Sequence, residues 1–153
     1  QNLESLIINF TNLSGYMNAG IGSLINLNFL SLDHNDLSGI IPESIGNLVL
    51  LRGLSLDHNN FSGVIPESIG NLGNLTHLHL DDNAISGEFP NGIEKLEKLR
   101  VLHLAYNQLE KLPDSICRLS LHKMEITFYG NRFCAKSSLP ECTVDLAGFQ
   151  NCN

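Results

Sequence analysis

The sequence predicts an α/β fold, a right-handed solenoid of about six repeat units with a parallel β-sheet on its concave side and short helical or 3-10 turns on its convex side. Three observations predict it. Leucines recur every 24 residues, at Leu3, Leu27, Leu51, Leu75 and Leu99. Each unit then shows a short L-x-L alternation, and the chain contains 18 Asn and 13 Gly among its 153 residues. Units of this length stack on one another to bury a continuous core.

The first element of each unit is a short strand. Two leucines in alternation, such as Leu30 and Leu32, point into the core while the residues between and beside them face outward. The units start near residues 3, 27, 51, 75, 99 and 123. We therefore assign residues 1–133 to repeats and residues 134–153 to a C-terminal cap.

The chain turns after each strand at an asparagine, and glycine and proline follow. The turn asparagines are Asn35, Asn59, Asn83, Asn107 and Asn131. A buried side-chain amide can donate to and accept from turn backbone that would otherwise be unpaired. Glycines that we expect at positive φ follow at Gly15, Gly39, Gly63 and Gly87. Pro42, Pro66 and Pro90 then begin the convex helical segment.

Taken together, the unit L-x-x-L-x-L-x-x-N-x-L-S-G-x-I-P-x-x-I-G-N-L resembles the leucine-rich repeat, and L-S-G-x-I-P in a 24-residue period resembles its plant-specific subtype. The resemblance covers roughly residues 3–134. It implies extracellular recognition of a protein or peptide through the concave face, as in a receptor ectodomain or a secreted inhibitor-like repeat protein. The last unit carries Lys123 where leucine is expected, so Leu121 or Met124 should fill that place.

Charge and composition exclude several functions. Nine Lys and Arg against 16 Asp and Glu give a net charge of −7, which does not suit nucleic-acid binding. No stretch approaches the ~18 apolar residues of a membrane span, so we expect no direct membrane insertion. Neither G-x-S-x-G, nor a P-loop, nor H-E-x-x-H occurs, so we expect no enzymatic activity and no cofactor.

Outward-facing strand positions supply the candidate binding surface. The repeat places acids and histidines in columns about 4.8 Å apart on the concave face. The candidate partner contacts are Asp33, Asp57, Asp81, His34, His58, His79, His103 and Tyr106. Stacked carboxylates repel each other, so stability alone would not select them, and a basic partner or a cation would relieve the repulsion. The sequence therefore predicts an acidic patch that binds a protein or peptide.

Two other uses of this face are a metal site and an ice-binding array. His77, His79, His103 and Asp81 can come close enough to hold Zn²⁺, but L-S-L-D-H-N occurs identically in the second and third units, so duplication explains the Asp and His more simply. We therefore assign no metal ligand from the sequence. Some plant-type repeat proteins bind ice, which usually needs a regular array of threonines. The four threonines here occupy unrelated positions, so ice binding is not predicted.

All four cysteines lie near the C-terminal end, at Cys117, Cys134, Cys142 and Cys152. Because no C-x-x-C occurs, disulfides are favoured over a metal site, and three pairings are open. The stretch F-C-A-K-S-S-L-P-E-C resembles the C-terminal cap of plant-type extracellular repeats, which implies Cys134–Cys142 and, with it, Cys117–Cys152. Disulfides indicate an oxidising compartment, hence a secreted or extracellular protein. Sequons for N-glycosylation occur at Asn9, Asn12, Asn60 and Asn74.

The N-terminal residues show no counterpart of the C-terminal cap. An open solenoid end exposes core and strand edge, so we expect either further residues before Gln1 or a partner that covers this end. Charge is also split: ten acids and one base in residues 1–94 give −9, whereas six acids and eight bases in residues 95–153 give +2. An alternative function is therefore a structural subunit of an extracellular layer or filament that self-associates through its N-terminal end.

Overall fold

The computed structural model describes residues 2–119, 121–134 and 139–146. These residues form two parallel sheets, and 3-10 helices connect the strands of one repeat to those of the next. The predicted repeat solenoid is confirmed, and every helical segment of the described residues is a 3-10 helix. Within the described part of the chain, no helix has the length and apolar character needed to cross a membrane.

The first sheet contains one three-residue strand from each repeat. Its strands are β1 (Ser5–Ile7), β3 (Phe29–Ser31), β5 (Gly53–Ser55), β7 (His77–His79), β9 (Val101–His103) and β11 (Glu125–Thr127). All neighbours pair in parallel at a register of one repeat, so that Leu30 lies opposite Leu54 and Ser55 lies opposite His79. The central residue of each strand faces the core and the outer two face the concave side, as the alternation predicts.

A second parallel sheet follows the turns, and sequence reasoning did not predict it. Its strands are β2 (Ser14–Tyr16), β4 (Asp36–Gly39), β6 (Asn60–Gly63), β8 (Ala84–Glu88) and β10 (Gln108–Lys111). Gly63 has φ +74°, and a Cβ there would lie 2.9 Å from Cγ2 of Ile40. Glycine is thus required both by the left-handed backbone and by the side chain of the preceding repeat. The expectation of positive φ at these glycines is confirmed.

The convex side is built from short 3-10 helices. They are η1 (Ala19–Ser23), η2 (Glu43–Asn47), η3 (Glu67–Asn71), η4 (Asn91–Lys95), η5 (Asp114–Arg118), η6 (Leu121–Lys123) and η7 (Glu141–Leu146). Pro42, Pro66 and Pro90 immediately precede η2, η3 and η4, as predicted. Neighbouring helices pack closely, since a Cβ on Gly46 would lie 2.5 Å from the carbonyl oxygen of Ser68.

Leucine columns form one continuous core between the two sheets and the helices. Leu54, Leu78 and Leu102 are almost fully buried, and the core extends to Phe133. Leu121 and Met124 both pack against it in the last repeat, in the place where leucine was expected at Lys123. In the first repeat the corresponding residues are only partly buried. They are Leu6, Ile8, Met17, Ile21 and Leu24.

The turn asparagines connect adjacent repeats, as predicted. The Asn59 amide nitrogen donates to the carbonyls of Leu32 (2.9 Å), Leu56 (3.2 Å) and Asp57 (3.1 Å). Its Oδ1 accepts from the Leu37 N–H at 3.0 Å. One side chain therefore satisfies backbone groups of two repeats.

The disulfide pairing implied by the resemblance is wrong. Cys117 is bonded to Cys142, with their Cα atoms 5.8 Å apart, which excludes both Cys134–Cys142 and Cys117–Cys152. The physical reason is the path of the cap, because η7 brings Cys142 beside Cys117 on η5 of the preceding repeat. Cys134 is disulfide-bonded as well, and Cys152 lies outside the described residues.

Candidate functional site

The register of the first sheet places the predicted acids and histidines on one concave surface. His79 on β7 lies opposite His103 on β9, and Asp81 follows His79 by two residues on the same face. Asp33 and Asp57 occupy the equivalent positions of earlier repeats. All three carboxylates are largely covered, with 15–16% of each side chain exposed.

Histidines of the same chain contact two acids of the stacked column. Nδ1 of His34 lies 3.3 Å from the Asp33 carboxylate, and Nδ1 of His58 lies 3.1 Å from the Asp57 carboxylate. Nε2 of His58 lies 3.4 Å from Asp82. A ring N–H in either of the first two contacts can donate to the carboxylate, so Asp33 and Asp57 each have a polar partner within the chain.

An aromatic ladder runs along the edge of this surface. The rings of Phe10 and His34 stack at 4.2 Å between centroids, and those of His34 and His58 stack at 4.1 Å. All three residues adopt a left-handed backbone, with φ of 52–55°. Tyr106 shares this conformation, is 54% exposed, and meets Tyr129 edge-on at 5.2 Å. The repeat places these four residues in one outward column, but it does not indicate their left-handed backbone, which non-glycine residues rarely adopt.

A separate group forms around Asp81. Its Oδ1 accepts hydrogen bonds from the Ala105 N–H at 3.0 Å and from the Thr127 hydroxyl at 3.3 Å. Its Oδ2 lies 3.7 Å from Nδ1 of His103, and the other ring nitrogen of His103 lies 3.1 Å from Glu125. His79, Asp81 and His103 each offer a ligand atom within 4.8 Å of the other two.

Burial shifts the pKa values of His79 and Asp81 in this group. It lowers the pKa of the His79 imidazole below its ordinary value, and the neighbouring His103 lowers it further, against the opposing effect of Asp57 and Asp81. Burial also raises the pKa of the Asp81 carboxyl, which the charge of His103 opposes. A neutral His79 imidazole is therefore favoured at neutral pH.

Two hollows divide the concave face. An apolar hollow of about 390 Å³ is lined by Ile7, Phe29, Gly53 and their neighbours, with Ile7 63% and Phe29 49% exposed. A second hollow, of about 440 Å³, is lined largely by acidic and histidine residues and is called the polar hollow below. His79 lines both hollows. The polar hollow includes Asp57, His58, His79, Asp81, His103 and Tyr106, six of the eight predicted contacts. Asp33 and His34 lie on the same face outside that hollow.

Several residues of this surface were missed, and one was misplaced. Glu125, Thr127 and Tyr129 line the polar hollow, and they occupy the same outward columns as the predicted residues. The column pattern was the available signal for them. His77 does not join the His79 group: its ring lies 6.3 Å from that of His79 and its Nδ1 lies 2.9 Å from the Thr76 hydroxyl.

The four sequons differ in accessibility. Asn12 and Asn60 are exposed. Asn74 donates from Nδ2 to the Val49 carbonyl at 2.9 Å and accepts from Lys98 at 2.7 Å. Asn9 is half-buried, and its Oδ1 has no hydrogen-bond partner among the described residues. Glycosylation of these sites stays a prediction, and Asn12 and Asn60 are the accessible candidates.

Comparison with known proteins identifies similar folds and sequences. A family profile described as "Leucine-rich repeat region" matches residues 3–146. No curated protein matches the chain in sequence. A chain of the BIR3–SERK2 complex from Arabidopsis thaliana is 32% identical with a TM-score of 0.76, and the match covers 92% of this chain and 74% of that one.

Two further solved structures are similar over most of this chain. The plant peptide hormone receptor RGFR1, in complex with RGF2, is 36% identical with a TM-score of 0.79, and the match covers 97% of this chain and 24% of that one. A plant ice-binding protein is 32% identical with a TM-score of 0.77, and the match covers 90% of this chain and 47% of that one. The chain thus spans a quarter to a half of these two proteins.

Proposed function

The chain belongs to the leucine-rich repeat proteins, and from that premise we propose that it recognises an extended segment of a protein or peptide through the concave face of its first sheet. The role is binding rather than catalysis. The observation that carries the proposal is the pairing of an apolar hollow with a polar, acid-rich hollow on one surface. The receptor RGFR1, which this chain resembles, holds RGF2, and this supports a peptide as the partner.

The length of the acid column suits an extended peptide. Asp33, Asp57 and Asp81 each come two residues after a strand, and the three strands are neighbours in the first sheet, so the column spans roughly 10 Å. That distance equals about three residues of extended peptide. A basic side chain would contact the acid column, while an apolar side chain of the same ligand would fill the hollow at Phe29 and Ile7.

Location outside the cell follows from the same proposal. The Cys117–Cys142 bond supports it, because structural disulfides form and persist mainly in oxidising compartments. The similarity to the plant peptide hormone receptor RGFR1 supports the same placement. Ice binding is not proposed, because the outward column through His79 and His103 carries threonine only at Thr127.

Charge reversal on the concave face tests the proposal. A panel of synthetic peptides with basic, neutral and acidic side chains around a fixed apolar residue would be measured by fluorescence anisotropy. We expect basic members to bind best and Asp57→Lys to weaken them by roughly tenfold or more, because a hydrogen bond to a charged group contributes about 1.5–3 kcal/mol.

Asp36→Lys is the matched control. It makes the same charge change on an exposed residue of β4, away from the concave sheet. Circular dichroism should show that both variants are folded at the assay temperature, so that a loss of affinity is not a loss of structure. Equal loss of affinity in the two variants, or no preference for basic peptides, would refute recognition by the acid column.

A second candidate is self-association through the N-terminal end. Apolar residues of the first repeat, among them Leu6, Ile8 and the 80% exposed Tyr16, line a hollow of about 390 Å³ at that end. Sedimentation velocity over a wide concentration range tests it. A structural subunit would form growing species that Tyr16→Asp abolishes, whereas a recognition module would sediment as one species in both forms.

A further inference from the structure

His79, Asp81 and His103 form a compact group of metal-ligating side chains on the concave face. Strand pairing places His79 and His103 side by side, and Asp81 follows at the end of β7. One ligand atom of each lies within 4.8 Å of the other two, and all three residues are half-buried. Two imidazoles and a carboxylate are ligands that Zn²⁺ and similar divalent ions accept.

The Asp81 carboxylate accepts hydrogen bonds at one oxygen and faces His103 with the other. The Ala105 N–H and the Thr127 hydroxyl both donate to Oδ1. Oδ2 then points toward Nδ1 of His103 at 3.7 Å, which is too long for a hydrogen bond. Two ligands of one tetrahedral zinc ion lie about 3.3 Å apart when each is about 2.0–2.1 Å from the metal. The observed separation is close to that value.

Glu125 orients the His103 ring from the far side. Its carboxylate lies 3.1 Å from Nε2 of His103, so a proton on Nε2 leaves the Nδ1 lone pair facing Asp81. This arrangement reproduces the carboxylate–histidine–metal geometry in which an outer carboxylate fixes the tautomer of a ligating imidazole. Within the described residues the His79 ring makes no hydrogen bond, so its nitrogens are available to an ion.

The other group of potential ligands, His34, Asp57 and His58, differs in the burial of its histidines and in the contacts of their ring nitrogens. Both of its histidines are exposed. Nδ1 of His58 is hydrogen-bonded to Asp57 at 3.1 Å, and the two rings stack on each other. Both nitrogens of His58 and Nδ1 of His34 thus contact carboxylates of the chain, which makes this group an internal control.

We propose that His79, Asp81 and His103 bind one Zn²⁺ or a similar borderline divalent ion, with Glu125 as a positioning residue. Small side-chain rotations bring the three ligand atoms to bonding distance. The fourth coordination position opens into the polar hollow, where water or a carboxylate, imidazole or thiolate of a partner can complete the shell. This proposal does not depend on the proposed peptide recognition, because the three named ligands all belong to this chain.

Zinc titration of the full chain tests the proposal. Chelator-treated, dialysed protein would be titrated with Zn²⁺ by isothermal calorimetry, and with Co²⁺ by visible absorption, whose d–d bands report coordination. We expect one ion per chain and a rise in unfolding temperature with Zn²⁺. Asp81→Asn keeps the Oδ1 acceptor but removes the ligating Oδ2, so it should abolish stoichiometric binding, as should His103→Gln.

Positioning and control variants complete the test. Glu125→Gln should weaken Zn²⁺ affinity by roughly tenfold to a hundredfold while leaving the metal-free unfolding temperature unchanged. His34→Gln should leave affinity and stoichiometry unchanged. Absence of saturable one-to-one binding would overturn the proposal. So would a tight ion retained in Asp81→Asn and His103→Gln, or an ion lost in His34→Gln.

Discussion

Removal of the amide side chain of one turn asparagine, Asn59, should lower the free energy of unfolding several times more than removal of an exposed asparagine side chain. Asn59→Ala deletes a side chain that joins the second and third repeats through its bond to the Leu37 N–H and its bond to the Leu32 carbonyl. The residue is 8% exposed, so water does not readily replace these bonds. The substitution therefore tests whether the asparagine column, rather than the leucine core alone, connects the repeats.

The magnitude follows from which backbone groups lose their partners. The Leu37 N–H loses Oδ1 of Asn59 as its acceptor. A buried donor left without an acceptor costs about 1–3 kcal/mol of stability. The Leu32 carbonyl keeps the Asn35 amide as a second donor, and the Leu56 carbonyl keeps the Asn83 amide. The free-energy cost at these two carbonyls is therefore smaller. We expect a total of about 2–4 kcal/mol, which lowers the unfolding temperature by roughly 5–15 °C for a chain of this length.

Thermal and urea unfolding followed by circular dichroism measure this difference. Asn60→Ala, one residue away and exposed, is the matched control and should cost less than about 0.5 kcal/mol. Asn59→Asp keeps the acceptor but directs a second oxygen at backbone carbonyls, so it should be at least as destabilising as alanine at neutral pH and less so in acid. Equal stability of Asn59→Ala and Asn60→Ala would refute the reasoning.

Three further predictions concern the cap, the concave face and the convex side. Cys142→Ser should lower the free energy of unfolding by about 3.5 kcal/mol from loop entropy, since the bond spans 25 residues, and intact-protein mass mapping should show Cys117–Cys142 in the wild type. Because burial depresses the folded pKa of His79, its contribution to stability is present above pH 6.5 and is lost as pH falls. In chelator, the wild type should thus lose more stability on acidification than His79→Gln, and equal slopes would contradict this. The groups that face His79 are His77, His103, Asp57 and Asp81. Gly46→Ala should destabilise, because its Cβ would meet the Ser68 backbone at 2.5 Å, whereas Gly73→Ala, with open space around it, should not.

The elements fixed by local pattern were predictable from sequence. Alternation placed Leu54 and Leu78 in the core, and the 24-residue period set the strand register, because identical spacing forces identical positions in neighbouring repeats. The second sheet was missed because Ser-Gly segments lack alternating hydrophobicity. Its strands form because Gly39 and Gly63 permit the backbone turn that brings neighbouring repeats within hydrogen-bond distance.

The cap and the fine geometry of the site depend on contacts that no spacing encodes. The pairing of Cys117 with Cys142 follows from where η7 packs, which sequence separation does not determine. The Glu125 contact to His103 likewise depends on rotamers across neighbouring strands. The column pattern located these residues on one face, but only coordinates show which side chains touch.

Duplication accounts for one histidine group and not for the other. The identical segments L-S-L-D-H-N contain His34 and His58, whose rings stack and pair with the aspartates that precede them. His79 and His103 lie outside that motif, at the position between the two strand leucines, where the second and third repeats carry serine. The fourth repeat also replaces the motif histidine with Asp82, so no stacked ring continues over Asp81. Asp81 keeps the aspartate of the motif, whereas its two histidine partners arise where the repeats diverge, so copying of one unit does not explain the proposed metal group as a whole.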